Sequence, residues 1–222
     1  INGTSLIEIS IFCKKYNSVL IHISTDYVFD GKKTLPYEES DETNPINVYG
    51  KSKLLGEKLI QKFADKFVII RVSWVFSNYG KNFLNTILEK SKIEQELNIV
   101  NDQIGGPTST IQIAKVLEIF LQKISNHEKP FGIYHLSGEP YISWYKFAKD
   151  IVSIAKDYNL IKDTIIKPIN SDDFKSFAIR PKHSGLSNRK IKSIVNDINY
   201  DYKDYLEQII IKKAKVGLNK NE

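Results

Sequence analysis

Short, nearly unbroken apolar runs alternate with longer amphipathic stretches. This alternation limits the fold more than any other feature of the chain. Ser18-Val19-Leu20-Ile21-His22-Ile23, Phe67–Val72 and Gly132–Leu136 read as strands, and runs with so little polar interruption suit strands buried on both faces. Between them lie segments with helical spacing. Over 48–65, Leu55, Leu59 and Phe63 recur every four residues, with Asn47 placed as N-cap. Segments 2–17, 82–96, 110–124, 143–158 and 202–215 read the same way, and 97–100 and 165–168 as shorter strands. Strands and helices in this order give a parallel sheet with crossover helices. In such a sheet, ligands sit beyond the carboxyl ends of the strands. The residues just after the apolar runs are therefore the first place to look for chemistry.

Two segments stand out there. Ser24-Thr25-Asp26-Tyr27-Val28-Phe29-Asp30-Gly31 closes the first run, and Tyr49-Gly50-Lys51-Ser52-Lys53 opens the helix after Pro45. On a helix, Tyr49 and Lys53 leave the same face one turn apart. A phenol titrates near ~10 alone, and a close ammonium favours its phenolate. The pair can then exchange a proton near neutral pH, with Thr25 offering a hydroxyl from the strand end. That outlines a site for carbonyl reduction or alcohol oxidation. Lys51 lies on another face of the same helix and reads as a solvent lysine. Trp74 follows a strand directly, where a large amphipathic ring can carry a sugar or base. Trp144, with Phe147 one turn on, reads as packing. Arg180, before Pro181, can clamp a diphosphate or join a surface ion pair.

With these pieces in order, the chain resembles the extended short-chain dehydrogenase/reductase family, and within it the dTDP-4-dehydrorhamnose reductase branch. The matching segments are STDYVFDG at 24–31, the P-x-N-x-YG-x-[ST]-K run from Pro45 to Lys53, RVSWVF at 71–76, NDQIGGPTS at 101–109, GIYHLSG at 132–138 and RPKHSGLSN at 180–188. The resemblance implies a Rossmann-like, doubly wound parallel α/β sheet lacking its first strands, with a smaller C-terminal substrate-binding lobe. Residues 1–75 and 97–137 would form the dinucleotide-binding part, and 76–96 and 138–222 the lobe. It implies reduction of the 4-keto group of dTDP-4-dehydro-L-rhamnose to dTDP-L-rhamnose by NADPH or NADH. Thr25, Tyr49 and Lys53 would be catalytic. Thr25, Asp26, Trp74 and Arg180 would hold the nucleotide sugar, and Tyr49 and Lys53 the cofactor. Mg²⁺ and a homodimer are compatible with it. Two other readings stay open: another nucleotide-sugar epimerase or ketoreductase on this scaffold, and a non-catalytic regulatory subunit like that of methionine adenosyltransferase.

A dinucleotide fold should open with a strand and a glycine-rich turn. This chain opens with Ile1 and a helix, and Gly105-Gly106 lacks the spacing. The expectation is that roughly three βα units, about 75 residues, precede it. Alone it should bind NAD(P)H weakly and expose an unpaired sheet edge. The formal charge of +6 does not argue for nucleic acid. Only Arg71, Arg180 and Arg189 are arginines, and the lysines are scattered among acids. The four histidines have no zinc-ligand spacing. No apolar stretch approaches the ~20 residues of a membrane helix. The single Cys13 reads as a buried thiol, and a reducing cytoplasm suits it.

Overall fold

A computed structural model describes residues 2–174 and 178–218. In chain order the elements are α1 (Ser5–Lys15), β1 (Leu20–Thr25), α2 (Val48–Phe63), β2 (Phe67–Val72), β3 (Val75–Phe76), α3 (Phe83–Ser91), β4 (Glu96–Val100), β5 (Ile104–Gly105) and β6 (Thr108–Ser109). Then come α4 (Thr110–Ser125), β7 (Gly132–Leu136), β8 (Ile142–Ser143), α5 (Trp144–Asp157), β9 (Ile165–Ile169), α6 (Arg189–Lys192) and α7 (Tyr202–Leu218). Every long element follows the apolar periodicity, and the expected caps form. Asn47 Oδ1 accepts from the Gly50 amide at 2.8 Å, and Ser143 Oγ from the Lys146 amide at 3.1 Å. Each satisfies a donor that a helix start leaves unpaired. The two-residue strands have no periodicity to betray them, and α6 is a single turn.

Contacts divide the chain into two compact units. The first comprises Ile1–Ser73, Lys115–Ser137 and Phe177–Ile198. Its parallel sheet has the order β1-β2-β7, with Thr25 beside Val72 and Val72 beside Leu136. These carboxyl ends therefore finish level. β2 is buried almost throughout, whereas β1, at the edge, is half-buried over Leu20–Ile23. Leu6, Ile60, Ala64 and Ile69 form one core cluster, joining α1 and α2 to β2. Only one side of α1 packs there. Ile9, Ile11 and Phe12 stay exposed, and Cys13 is half-buried instead of fully buried as expected.

The second unit comprises Trp74–Ala114, Gly138–Ser176 and Asn199–Glu222. β4 and β9 pair in parallel. Leu84, Ile87, Phe147, Ile151, Tyr205 and Leu206 lie in its core. Fully burying side chains of this size contributes about 1.5–3 kcal/mol each.

The division differs from the sequence expectation at 74–75, which fall in the second unit, and in two longer segments. Segment 97–114 lies with the second unit because β4 finds its partner in β9, not in the central sheet. Segment 178–198 lies with the first because its backbone bonds to that unit: His183 N–H donates to Gly31 C=O at 3.2 Å, and Tyr37 N–H to Gly185 C=O at 2.9 Å.

Candidate active site

The carboxyl end of β1 continues into a single 3₁₀ turn, Asp26–Val28. Thr25 caps it, its hydroxyl accepting from the Tyr27 amide at 3.2 Å. The first turn of α2 lies directly against this turn. A Cβ on Gly50 would stand 2.1 Å from the Tyr27 carbonyl oxygen, so only glycine permits the approach. That contact brings Tyr49 beside Thr25. The rings of Tyr27 and Tyr49 meet edge-on, 5.8 Å between centroids, and the Thr25 hydroxyl is among the groups that act on the Tyr49 phenol.

Lys53 sits one helical turn further in. It is 7% exposed, while Lys51 is exposed. Its ammonium donates to the Ile23 carbonyl at 2.6 Å and meets His22 Nε2 at 3.1 Å. An ammonium is only a donor, so His22 Nε2 accepts and the ring is neutral. Burial, then Lys53, pushes His22 down to about 4. Burial also lowers the Lys53 ammonium, opposed by Glu57.

These placements correct one expectation. The Tyr49 phenol is raised, not lowered: burial dominates and Asp26 adds to it, while the Thr25 hydrogen bond opposes. Sharing a helix face did not bring the two end groups together. The long Lys53 stem carries its charge down to the edge of β1, and the Tyr49 ring stays at the rim, 49% exposed.

Asp26 is the most perturbed acid here. It is 3% exposed, and burial pushes its carboxyl up to about 7. Hydrogen bonds from Ser184 and Thr25 oppose the rise. Thr25 Oγ1 donates to Asp26 Oδ1 at 2.9 Å, and Oδ2 is buried without a partner. Burial, then Asp26, pushes the Tyr27 phenol up to about 12, with Arg180 pulling the other way. Arg180 is exposed in the segment that packs on the Asp30-Gly31 turn. Thr25, Asp26, Tyr49, Lys53 and Arg180 thus share the first unit. Trp74 belongs to the second. Its φ is +45°, its ring stacks on Trp144 at 3.4 Å, and a Cβ on Gly105 would strike it.

Sequence reasoning passed over the residues beneath the site. Glu57, one turn beyond Lys53, is fully buried and clasped by Arg71 of β2. Arg71 Nε lies 3.0 and 3.2 Å from its two oxygens and Nη2 2.7 Å from Oε2. Ser24 donates to the same carboxylate. An arginine inside an apolar strand was the available signal, because such a charge needs a buried partner. Ser184 lay inside a quoted motif, but nothing in its neighbours pointed to Asp26. A cleft of about 720 Å³ opens at the other end of this sheet, lined by Glu38, Gln61, Phe67, Gly132 and Lys190, and holds none of the predicted residues. Among the described residues no group of His, Cys, Asp or Glu could hold a metal ion, so Mg²⁺ has no support, and no helix is long and apolar enough to cross a membrane.

The family model described as the RmlD substrate binding domain matches residues 1–215. The chain belongs to this family. It is similar to the dTDP-4-dehydrorhamnose reductase of Aggregatibacter actinomycetemcomitans, 41% identical over 197 residues, covering 88% of this chain and 67% of the relative. The crystal structure of a dTDP-4-dehydrorhamnose reductase from Clostridium acetobutylicum superimposes with a TM-score of 0.86 at 34% identity, covering 95% of this chain and 71% of that one. The Bacillus anthracis dTDP-4-dehydrorhamnose reductase in complex with NADP gives 0.82 at 32%, covering 96% and 72%. Three of the curated relatives that this RmlD-family chain matches are spanned over 59–67% of their own length. These likenesses bear out the mixed α/β, parallel, Rossmann-like fold.

Proposed function

We propose that the full-length protein reduces the 4-keto group of dTDP-4-dehydro-L-rhamnose to give dTDP-L-rhamnose. Family membership supports the substrate class. The observation that carries the reaction type is the close approach of the Tyr49 turn of α2 to the strand end at Thr25, with the buried Lys53 ammonium one turn below.

The donor set fits a nicotinamide nucleotide. An ammonium has three donors, and two of those on Lys53 are engaged with Ile23 and His22. The third suits a ribose hydroxyl, and the half-exposed Tyr49 phenol is proposed as a second cofactor contact. When bound, reduced NADPH or NADH supplies the reducing equivalent for the carbonyl carbon. Thr25 binds the carbonyl oxygen and orients it towards Tyr49. The Tyr49 phenol, kept protonated by its raised pKa, donates its proton to the alkoxide as that charge develops. Arg180 pairs with the diphosphate, and Asp26 lies against the sugar. Trp74, on the second unit, is proposed as an apolar platform for sugar or base. A cytoplasmic location and a homodimer belong to the same reading.

The full-length protein should oxidise NADPH only when a dTDP-4-ketosugar is present, and Tyr49→Phe should lower kcat by roughly 10²–10⁴. Turnover of simple ketones with similar efficiency would refute the assignment.

A further inference from the structure

Lys53 carries a buried charge that the fold has to hold still. An ammonium on a four-carbon stem keeps many rotamers open unless its donors are engaged. Two of them are. Lys53 Nζ donates to the Ile23 carbonyl at 2.6 Å and lies 3.1 Å from His22 Nε2. The two acceptors are neighbours on β1 but differ in kind. The carbonyl is backbone, and any residue at position 23 would offer it. The imidazole nitrogen comes only from the histidine at position 22. β1 turns His22 and Ser24, two residues apart, towards α2. Ser24 donates to Glu57, and His22 meets Lys53. Glu57 itself is held by Arg71.

We propose that His22 is the positioning residue of Lys53: its neutral Nε2 and the Ile23 carbonyl together fix the ammonium and leave one N–H for the cofactor ribose. This rests on the reductase reading. A carboxylate in the place of His22 would also hold Lys53, but as an ion pair that cancels its charge. A neutral acceptor orients the ammonium and leaves the positive charge for the ribose hydroxyls.

The surroundings suit an acceptor of this kind. The imidazole proton lies on Nδ1, because the bond that one ring nitrogen makes decides which of the two carries the proton. The charged groups acting on His22 are Lys53 and Glu57. Burial, then Lys53, lower the ring to about 4 against the pull of Glu57, so the acceptor persists at neutral pH. His22 acts through Lys53 and touches neither substrate nor reacting atoms.

The test uses the full-length protein. Fluorescence titration measures NADPH binding, and steady-state kinetics with a dTDP-4-ketosugar give the KM of each substrate. His22→Leu removes the acceptor. It should weaken NADPH binding about 10-fold, the worth of one hydrogen bond to a charged group. The KM for NADPH should rise in step, and the KM for the ketosugar should stay. His22→Gln offers an acceptor oxygen at similar reach and should restore most of the loss; a Gln variant as weak as the Leu variant would overturn the proposal. In a Lys53→Met background, His22→Leu should weaken binding no further. A full additional loss there, or equal NADPH affinity in His22→Leu and wild type, would also overturn it. Imidazole ¹⁵N NMR of the wild type decides even where His22→Leu folds poorly, with His22→Gln identifying the resonance. The ring should be the Nδ1–H tautomer and stay neutral down to about pH 5; an Nε2–H tautomer, or a midpoint at the ordinary 6.5, overturns the proposal. Wild-type protein that binds NADPH but leaves the ketosugar unreduced would sink the reductase reading. The binding and NMR measurements would then still decide the role of His22.

Discussion

Arg71→Met would strand the Glu57 carboxylate between α2 and β2. Both side chains are at most 3% exposed, and the fork contact spends both carboxylate oxygens on one guanidinium. Removing one partner of a buried pair leaves an unpaired charge and costs roughly 3–5 kcal/mol. Ser24 donates to the carboxylate, and Lys53 is one helical turn away, so the lower half of that range is expected. For a chain of this size that corresponds to a fall in Tm of roughly 10 °C. Replacing both members, Glu57→Leu with Arg71→Met, removes the charge and should restore most of the loss. Far-ultraviolet circular dichroism follows the thermal transition. Arg71→Met should lower the midpoint of the dichroism transition. A single variant costing under about 1 kcal/mol, or a double variant as unstable as the single, would show that the pair does not hold α2 to the sheet.

Two other outcomes are expected. Lys53→Met should lower kcat and weaken NADPH binding together, whereas Lys51→Met, on the exposed side of the same helix, should change neither; equal losses in steady-state kinetics would remove Lys53 from the site. Asp26 should also set a pH dependence of stability. Its folded pKa, about 7, lies above the ordinary 3.8, so the folded state keeps a proton that the unfolded chain gives up. Stability is then full near pH 4 and declines as pH rises to about 7, by an amount on the order of 4 kcal/mol. Asp26→Asn should flatten that slope in thermal melts, and an unchanged slope would refute the assignment.

The long elements were legible in the sequence because periodicity is a local property. Asn47, Asn82 and Ser143 cap their helices within three residues of themselves, and the apolar runs of β2 and β7 need no distant partner to be recognised. Thr25 at a strand end and Tyr49 and Lys53 at helical spacing were legible for the same reason. What those groups touch was decided by the tertiary structure. Gly50 lets α2 close on the Tyr27 carbonyl, and that approach puts Tyr49 beside Thr25. The edge of β1 draws the Lys53 ammonium away from the phenol it was expected to tune. Ser184, far along the chain, returns to Asp26 because its segment bonds to Gly31 and Tyr37. Spacing along a helix fixes direction from the axis; where a flexible charged end group comes to rest depends on the nearest buried acceptor, and that acceptor is supplied by residues distant in sequence.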